Sequence, residues 1–227
     1  MVYTLLASPR RKSSPDEDTM RSGSPPPLDT VTAANDPGFT PEELADALDL
    51  PWSIVHDAVE MDKYPIRTDV YRLWARAIHV FSEARRVVQF RALCEQFNRT
   101  RIPEPTSTSV VELYQQLGDL MNSSQVSCRD RFQCSCSELD QLVKICREAG
   151  AIGSRLTGAG WGGCTVSLVP ADQVDHFMAR VKMNYYQARF PELVSQDQLG
   201  NVLFATQPGP PYPYVNEIDD LLQHPTC

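Results

Sequence analysis

The stretch Gly153-Ser154-Arg155-Leu156-Thr157-Gly158-Ala159-Gly160-Trp161-Gly162-Gly163-Cys164 decides how this chain is read. It gathers five of the chain's 11 glycines within 11 residues. A backbone without Cβ atoms can approach a ligand closely, and its N–H groups can form an anion-binding nest, which points to phosphate. A glycine-rich hairpin that merely turns tightly is the competing reading. Residues 154–157 and the β-branched run 165–169 flank the glycines and read as two strands. Because strand follows, Gly158-x-Gly160-x-x-Gly163 fails as a dinucleotide fingerprint, which has to open a helix. Gly158 and Gly163 have the spacing of a P-loop, yet Cys164 stands where the phosphate-binding lysine belongs.

Outward from the loop the period turns helical. Ser137-Glu138-Leu139-Asp140 fits a capping box, Leu139, Leu142, Val143 and Cys146 repeat helically, and Gly150 ends the segment. Another helix is expected over about 110–122. The strongest pattern spans about 69–96, where Val70, Leu73, Trp74, Ala77, Val80, Phe81, Ala84, Val87 and Val88 predict one buried face. Arg72, Arg76, His79, Glu83 and Arg86 form a second stripe, solvated or in contact with the domain. Thr40 and Pro41 are placed to cap and open a short helix to 48, followed by a second at about 52–61. Beyond the loop, Val174, Phe177, Met178 and Val181 mark a helix over about 172–186, and 202–206 reads as a last strand. Helices followed by a few strands predict an α+β fold.

Composition sets the limits. The 227 residues carry 21 basic and 29 acidic side chains, a net charge of −8, which argues against a nucleic-acid binder. No apolar run approaches the ~18 residues of a membrane span. The basic cluster near the start follows its apolar stretch, the reverse of a secretory signal. A soluble, cytoplasmic protein is expected, with no nucleic-acid or membrane partner. The seven cysteines (94, 128, 134, 136, 146, 164, 227) form no regular framework and no zinc-type pairing, so they read as reduced thiols. Six of the 18 prolines fall in 1–38 and five in 208–227. The expected organisation is a disordered segment 1–38, one domain over 39–207 and an irregular proline-rich tail over 208–227.

Single residues leave alternatives open. His79 and Glu83, at i and i+4, could bind metal or exchange a proton, or simply line a polar face. Arg155 could meet a phosphate or make a structural ion pair. Trp161 could stack on a ligand or cover the core. Cys146 reads as core, and Cys164 as packed at the strand entrance rather than nucleophilic.

The run 153–164 resembles the third signature motif of the GHMP sugar kinases. It is most similar to the galactokinase branch, and within it to N-acetylgalactosamine kinase. Three further stretches agree in order. Arg76-Ala77-Ile78-His79-Val80-Phe81-Ser82-Glu83-Ala84-Arg85-Arg86-Val87 resembles the family's central C-terminal-domain helix. The segment from Gly118-Asp119-Leu120-Met121-Asn122-Ser123-Ser124 to Ser127-Cys128-Arg129-Asp130 is similar to the family's next element, and Ser135-Cys136-Ser137-Glu138-Leu139-Asp140 to the approach to the following helix. Gln125 replaces a usual His, Ser137 a usual Pro, and Gly209-Pro210-Pro211-Tyr212-Pro213-Tyr214 stands in place of a glycine-rich run and an apolar strand.

The resemblance implies a ferredoxin-like GHMP kinase C-terminal domain, an antiparallel sheet covered by helices with disordered tails. It implies ATP-dependent phosphorylation of the anomeric hydroxyl of galactose or N-acetylgalactosamine, with Mg2+, by a complete enzyme that is a monomer. Thr157, Gly158, Ala159, Gly160, Trp161, Gly162, Gly163 and Cys164 would line the ATP and substrate cleft. No catalytic residue and no metal ligand is assigned in this chain, because the half of the family that carries them has no counterpart before Thr40. The alternative is an inactive truncated or spliced fragment acting as a binding module.

Overall fold

The computed structural model describes residues 2–7, 37–63, 66, 68–100, 108–192 and 199–206. Strand β1 (Val2–Ala7) is followed by α1 (Pro41–Leu48) and α2 (Trp52–Ala58). Two long helices come next, α3 (Leu73–Thr100) and α4 (Thr108–Ser127), the latter running on through a π-helical turn, Cys128–Phe132. Then α5 (Ser137–Glu148), β2 (Gly153–Thr157), β3 (Gly163–Leu168), α6 (Val174–Val181) and β4 (Leu203–Thr206) complete the order. The strands form one antiparallel sheet in the order β2-β3-β1-β4, covered by helices. The α+β architecture matches the expectation. Among the described residues no helix is long and apolar enough to cross a membrane.

Local rules account for most boundaries. Thr40 and Glu43 bond each other's backbone N–H groups in a capping box, with Pro41 opening α1. At α5 the expected box is absent. Cys136 is the N-cap without a side-chain bond, because the Asp140 carboxylate is taken by Ser135 (2.7 Å) and Gln125 (3.1 Å). The main core joins Leu142 and Cys146 of α5, Phe177 and Val181 of α6, Tyr185, Tyr186 and Leu203. A smaller cluster of Cys128, Cys134, Leu139 and Leu156 lies beneath the loop. Cys146 is fully buried, as expected, and burial raises its thiol to about 12.

Two expectations are corrected. Residues 2–7, placed in a disordered segment, form β1 between β3 and β4. The run Val-Tyr-Thr-Leu-Leu-Ala is uncharged, free of proline and rich in strand-forming types, a signal lost when it is averaged with the proline-rich sequence after it. The remainder of 1–38 up to residue 36, and 207–227, lie outside the described residues. The second correction concerns α3. Its apolar stripe faces outward, with Leu73, Val80, Phe81, Val87 and Val88 exposed, and Ala77 and Ala84 beside them. The stripe carrying Arg76, His79, Glu83 and Arg86 faces the domain instead, because Arg76, His79 and Glu83 find polar partners on α4, β2 and the π-helical turn and Arg86 pairs with Glu83.

Against β2, α4 approaches as closely as two backbones can. A Cβ on Gly118 would lie 2.5 Å from the Ile152 carbonyl oxygen, and one on Gly153 would lie 2.7 Å from the Gly118 Cα. That contact brings α4 side chains onto the free edge of β2. The Asn122 amide donates to the Ile152 carbonyl (3.1 Å) and accepts from the Ser154 N–H (3.1 Å), and Gln125 Oε1 accepts from the Leu156 N–H (2.7 Å).

Candidate functional site: the glycine loop and its supports

Strands β2 and β3 pair from Gly153 opposite Leu168 to Thr157 opposite Cys164, and residues 158–162 make the connection between them. Four of these five, and Gly163 at the start of β3, have positive φ: Gly158 (81°), Gly160 (85°), Trp161 (54°), Gly162 (135°) and Gly163 (88°). That run explains the glycine content, since each position would strain a residue with a Cβ. Gly158 and Gly163 open onto free space, with nothing within 4 Å of a Cβ at either position. Gly160 is different: a Cβ would overlap the Cys134 carbonyl oxygen. The same oxygen accepts the Trp161 N–H at 2.6 Å, anchoring the one non-glycine left-handed residue of the loop. The Trp161 ring is 59% exposed, so it does not cover the core.

The base of the loop is held on three sides. Arg155 Nη1 bonds Glu83 Oε1 at 2.6 Å, and its Nε donates to the Leu156 carbonyl, which realises the structural ion pair rather than a free phosphate ligand. Glu83 also accepts from Ser124 (2.6 Å) and Arg86 (2.8 Å). Gln125 joins the Leu156 N–H to Asp140 and Ser135. The Cys134 carbonyl supplies the third hold. The His79 and Glu83 side chains are divided between different partners. His79 Nδ1 pairs with Ser127 Oγ at 3.0 Å and its ring stacks on Phe132 (4.6 Å between centroids), while Glu83 is committed to Ser124, Arg86 and Arg155. Burial raises the Cys164 thiol, which leaves it neutral rather than nucleophilic. Among the described residues His56, Asp57 and Asp62 have ligand atoms within 4.8 Å of one another, but none belongs to this loop.

Burial lowers the His79 pKa below its ordinary 6.5, aided by Arg86 and Arg155 and opposed by Glu83 and the Ser127 hydrogen bond. Burial pushes the Glu83 carboxyl up. The Ser124 and Arg86 hydrogen bonds and the Arg155 charge outweigh it and hold the pKa below the ordinary 4.5. Both groups therefore bind fewer protons folded than unfolded, so each contribution is full above the unfolded pKa and lost as pH falls through the folded one. Thermal melts are expected to be level near pH 7 to 8 and, on acidification, to fall first through the histidine range and then through the carboxylate range; above that plateau the buried thiols, held neutral in the fold, lower stability as pH rises. The Tm gap between the parent chain and Glu83→Gln should narrow below pH 4.5. A constant gap would remove Glu83 from this account.

Sequence reasoning found the loop and the ion-pair alternative for Arg155, but gave no role to Asn122, Ser124 and Ser127, which entered only as part of a family-like stretch, and took Gln125 only as a departure from a pattern. Their polar side chains on the buried side of a helix were the available signal.

Comparison with known proteins agrees with this arrangement. The family description GHMP kinases C terminal matches residues 109–187. A galactokinase of Dictyostelium discoideum is 41% identical over 168 residues, covering 72% of this chain and 33% of that protein. A galactokinase of Saccharomyces cerevisiae is 35% identical over 147 residues, covering 63% and 26%. The crystal structure of Lactococcus lactis galactokinase complexed with galactose is 30% identical, with a TM-score of 0.40, covering 51% of this chain and 26% of that one. The chain thus spans a third or less of the length of these relatives. The matched segment runs from the start of α4 past α6 and contains the whole glycine loop with its supports on α4, α5 and β2, and it forms a GHMP kinase C-terminal domain.

Proposed function

We propose that this chain is the C-terminal part of an ATP-dependent kinase for the anomeric hydroxyl of galactose or N-acetylgalactosamine, and that residues 157–164 form one wall of the active-site cleft. The observation that carries the reading is the loop itself: an exposed, left-handed glycine backbone pinned at its base by Arg155, Gln125 and the Cys134 carbonyl. Phosphoryl transfer is catalysed mainly by positioning and charge stabilisation, so a rigid backbone surface is a useful contribution. ATP with magnesium, when bound, would supply the transferable phosphoryl group. Gly158 and Gly163 offer it an approach free of side chains. The loop contains no carboxylate, so the metal's protein ligands and the base that takes the hydroxyl proton would come from the remainder of the enzyme. The outward apolar face of α3 supports the same division, because a stripe of this size ordinarily packs against further protein.

The test is Mg-ATP-dependent phosphorylation of both sugars by the purified 227-residue chain, with folding checked by circular dichroism. No product above a mock-purified control is expected. Product would place the catalytic groups within this half. A purely non-catalytic binding module is separated from the kinase reading by carrying the loop change into a complete galactokinase. There the counterpart of Gly160→Ala should lower kcat at least tenfold while the far-ultraviolet spectrum stays unchanged. Unaltered kcat would end the loop's assigned role.

A further inference from the structure

The sheet contains a place whose occupant is separable from the rest of the fold. Strand β1 pairs with β3 along its whole length, from Val2 opposite Leu168 to Ala7 opposite Gly163. On its other side it pairs with β4, from Val2 opposite Thr206 to Leu5 opposite Leu203. Among the described strands β4 touches the sheet only through β1. Without β1, then, β3 keeps only its bonds to β2, β4 is left alone, and two rows of backbone N–H and C=O groups face an open gap. Its departure would break the β1 bonds to β3 and β4 but none of those between β2 and β3.

The occupant of a central position must supply N–H groups to both neighbours, which excludes proline. Val2–Ala7 has none, carries no charge and is rich in strand-forming residue types. The sequence after β4 has Pro208, Pro210, Pro211 and Pro213 and cannot serve. We propose that the gap between β3 and β4 is a strand-acceptor site, that Val2–Ala7 of this chain is its resident occupant, and that the same segment binds there when supplied as a separate peptide. Recognition of this kind rests on main-chain hydrogen bonds along an extended peptide, antiparallel here to both neighbours.

The experiment uses the 227-residue chain, the same chain lacking residues 1–8, and a labelled synthetic peptide, Met-Val-Tyr-Thr-Leu-Leu-Ala-Ser. Hydrogen exchange followed by mass spectrometry reads the amides of 163–168 and 203–206. Removing residues 1–8 is expected to speed exchange in both segments at least tenfold. Adding the peptide should restore protection with a saturable isotherm, whereas a peptide carrying Leu5→Pro should not. Should the shortened chain fail to fold, refolding it with the parent peptide should recover the folded state, and with the proline peptide should not. Unchanged protection in the shortened chain, equal action by the two peptides, or no recovery with the parent peptide would each overturn the proposal.

Discussion

Gly118→Ala is expected to lower the stability of the folded chain by about 2 kcal/mol, although the same change in an ordinary helix interior stabilises by roughly 0.5–1 kcal/mol. Two effects compete. The added methyl favours helix, but it would stand 2.5 Å from the Ile152 carbonyl oxygen and 2.7 Å from its carbon. Those are backbone atoms, which cannot swing aside as the end of a side chain can. Overpacking of this kind costs roughly 1–3 kcal/mol or more, which exceeds the propensity gain. Gly118→Val should be worse still. Gly200→Ala is the control, because nothing lies within 4 Å of a Cβ at that position. Urea denaturation of the three variants checks the ordering. A Gly118→Ala protein as stable as its parent would mean that α4 stands off β2 farther than described.

Gln125→Leu should cost about 3 kcal/mol, since the shape is kept while the hydrogen bonds are removed. The Leu156 N–H would lose its acceptor at a place where the residue is 1% exposed, and Asp140 would lose a donor. The orphaned buried N–H costs roughly 1–3 kcal/mol, and the bond lost to Asp140, which keeps Ser135, adds to it. Gln125→His should cost much less. A neutral imidazole can accept from the Leu156 N–H with one nitrogen and donate to Asp140 with the other, which fixes its tautomer. The substitution also brings a titratable group to the base of the loop. The cost of the histidine variant relative to the parent should therefore differ between denaturation at pH 5 and at pH 8, while the cost of the leucine variant should be the same at both. If leucine and histidine cost the same, the amide does not carry these bonds.

The loop was legible because left-handed backbone demands glycine, and glycine clustering survives in a linear string. The helices over 41–48 and 137–148 were legible from local signals too, the first from its cap at Thr40 and Pro41 and the second from a periodicity that reports burial. For α3 the same rule pointed to the wrong face. An apolar stripe reports that a surface is covered, not by what, and here His79 turns toward Ser127 and Glu83 toward Ser124 and Arg155, dozens of residues away in sequence. No periodicity encodes those pairings. Strand β1 was missed because its neighbours in the sheet lie some 160 residues onward, and a six-residue run carries little weight beside a long proline-rich one. The Cys134 carbonyl was invisible in principle, since a backbone oxygen has no letter in the sequence.

The amides of Asn122 and Gln125 have a consequence for how molecules of this protein meet. Strand β2 is the outermost strand on its side of the sheet, and an unguarded outer strand invites a neighbouring molecule to dock backbone to backbone. Here the Ser154 and Leu156 N–H groups and the Ile152 carbonyl are already engaged by a helix that lies too close for an intruding strand to enter. Two side chains thus do the work of a fifth strand, without offering the next molecule an edge to extend.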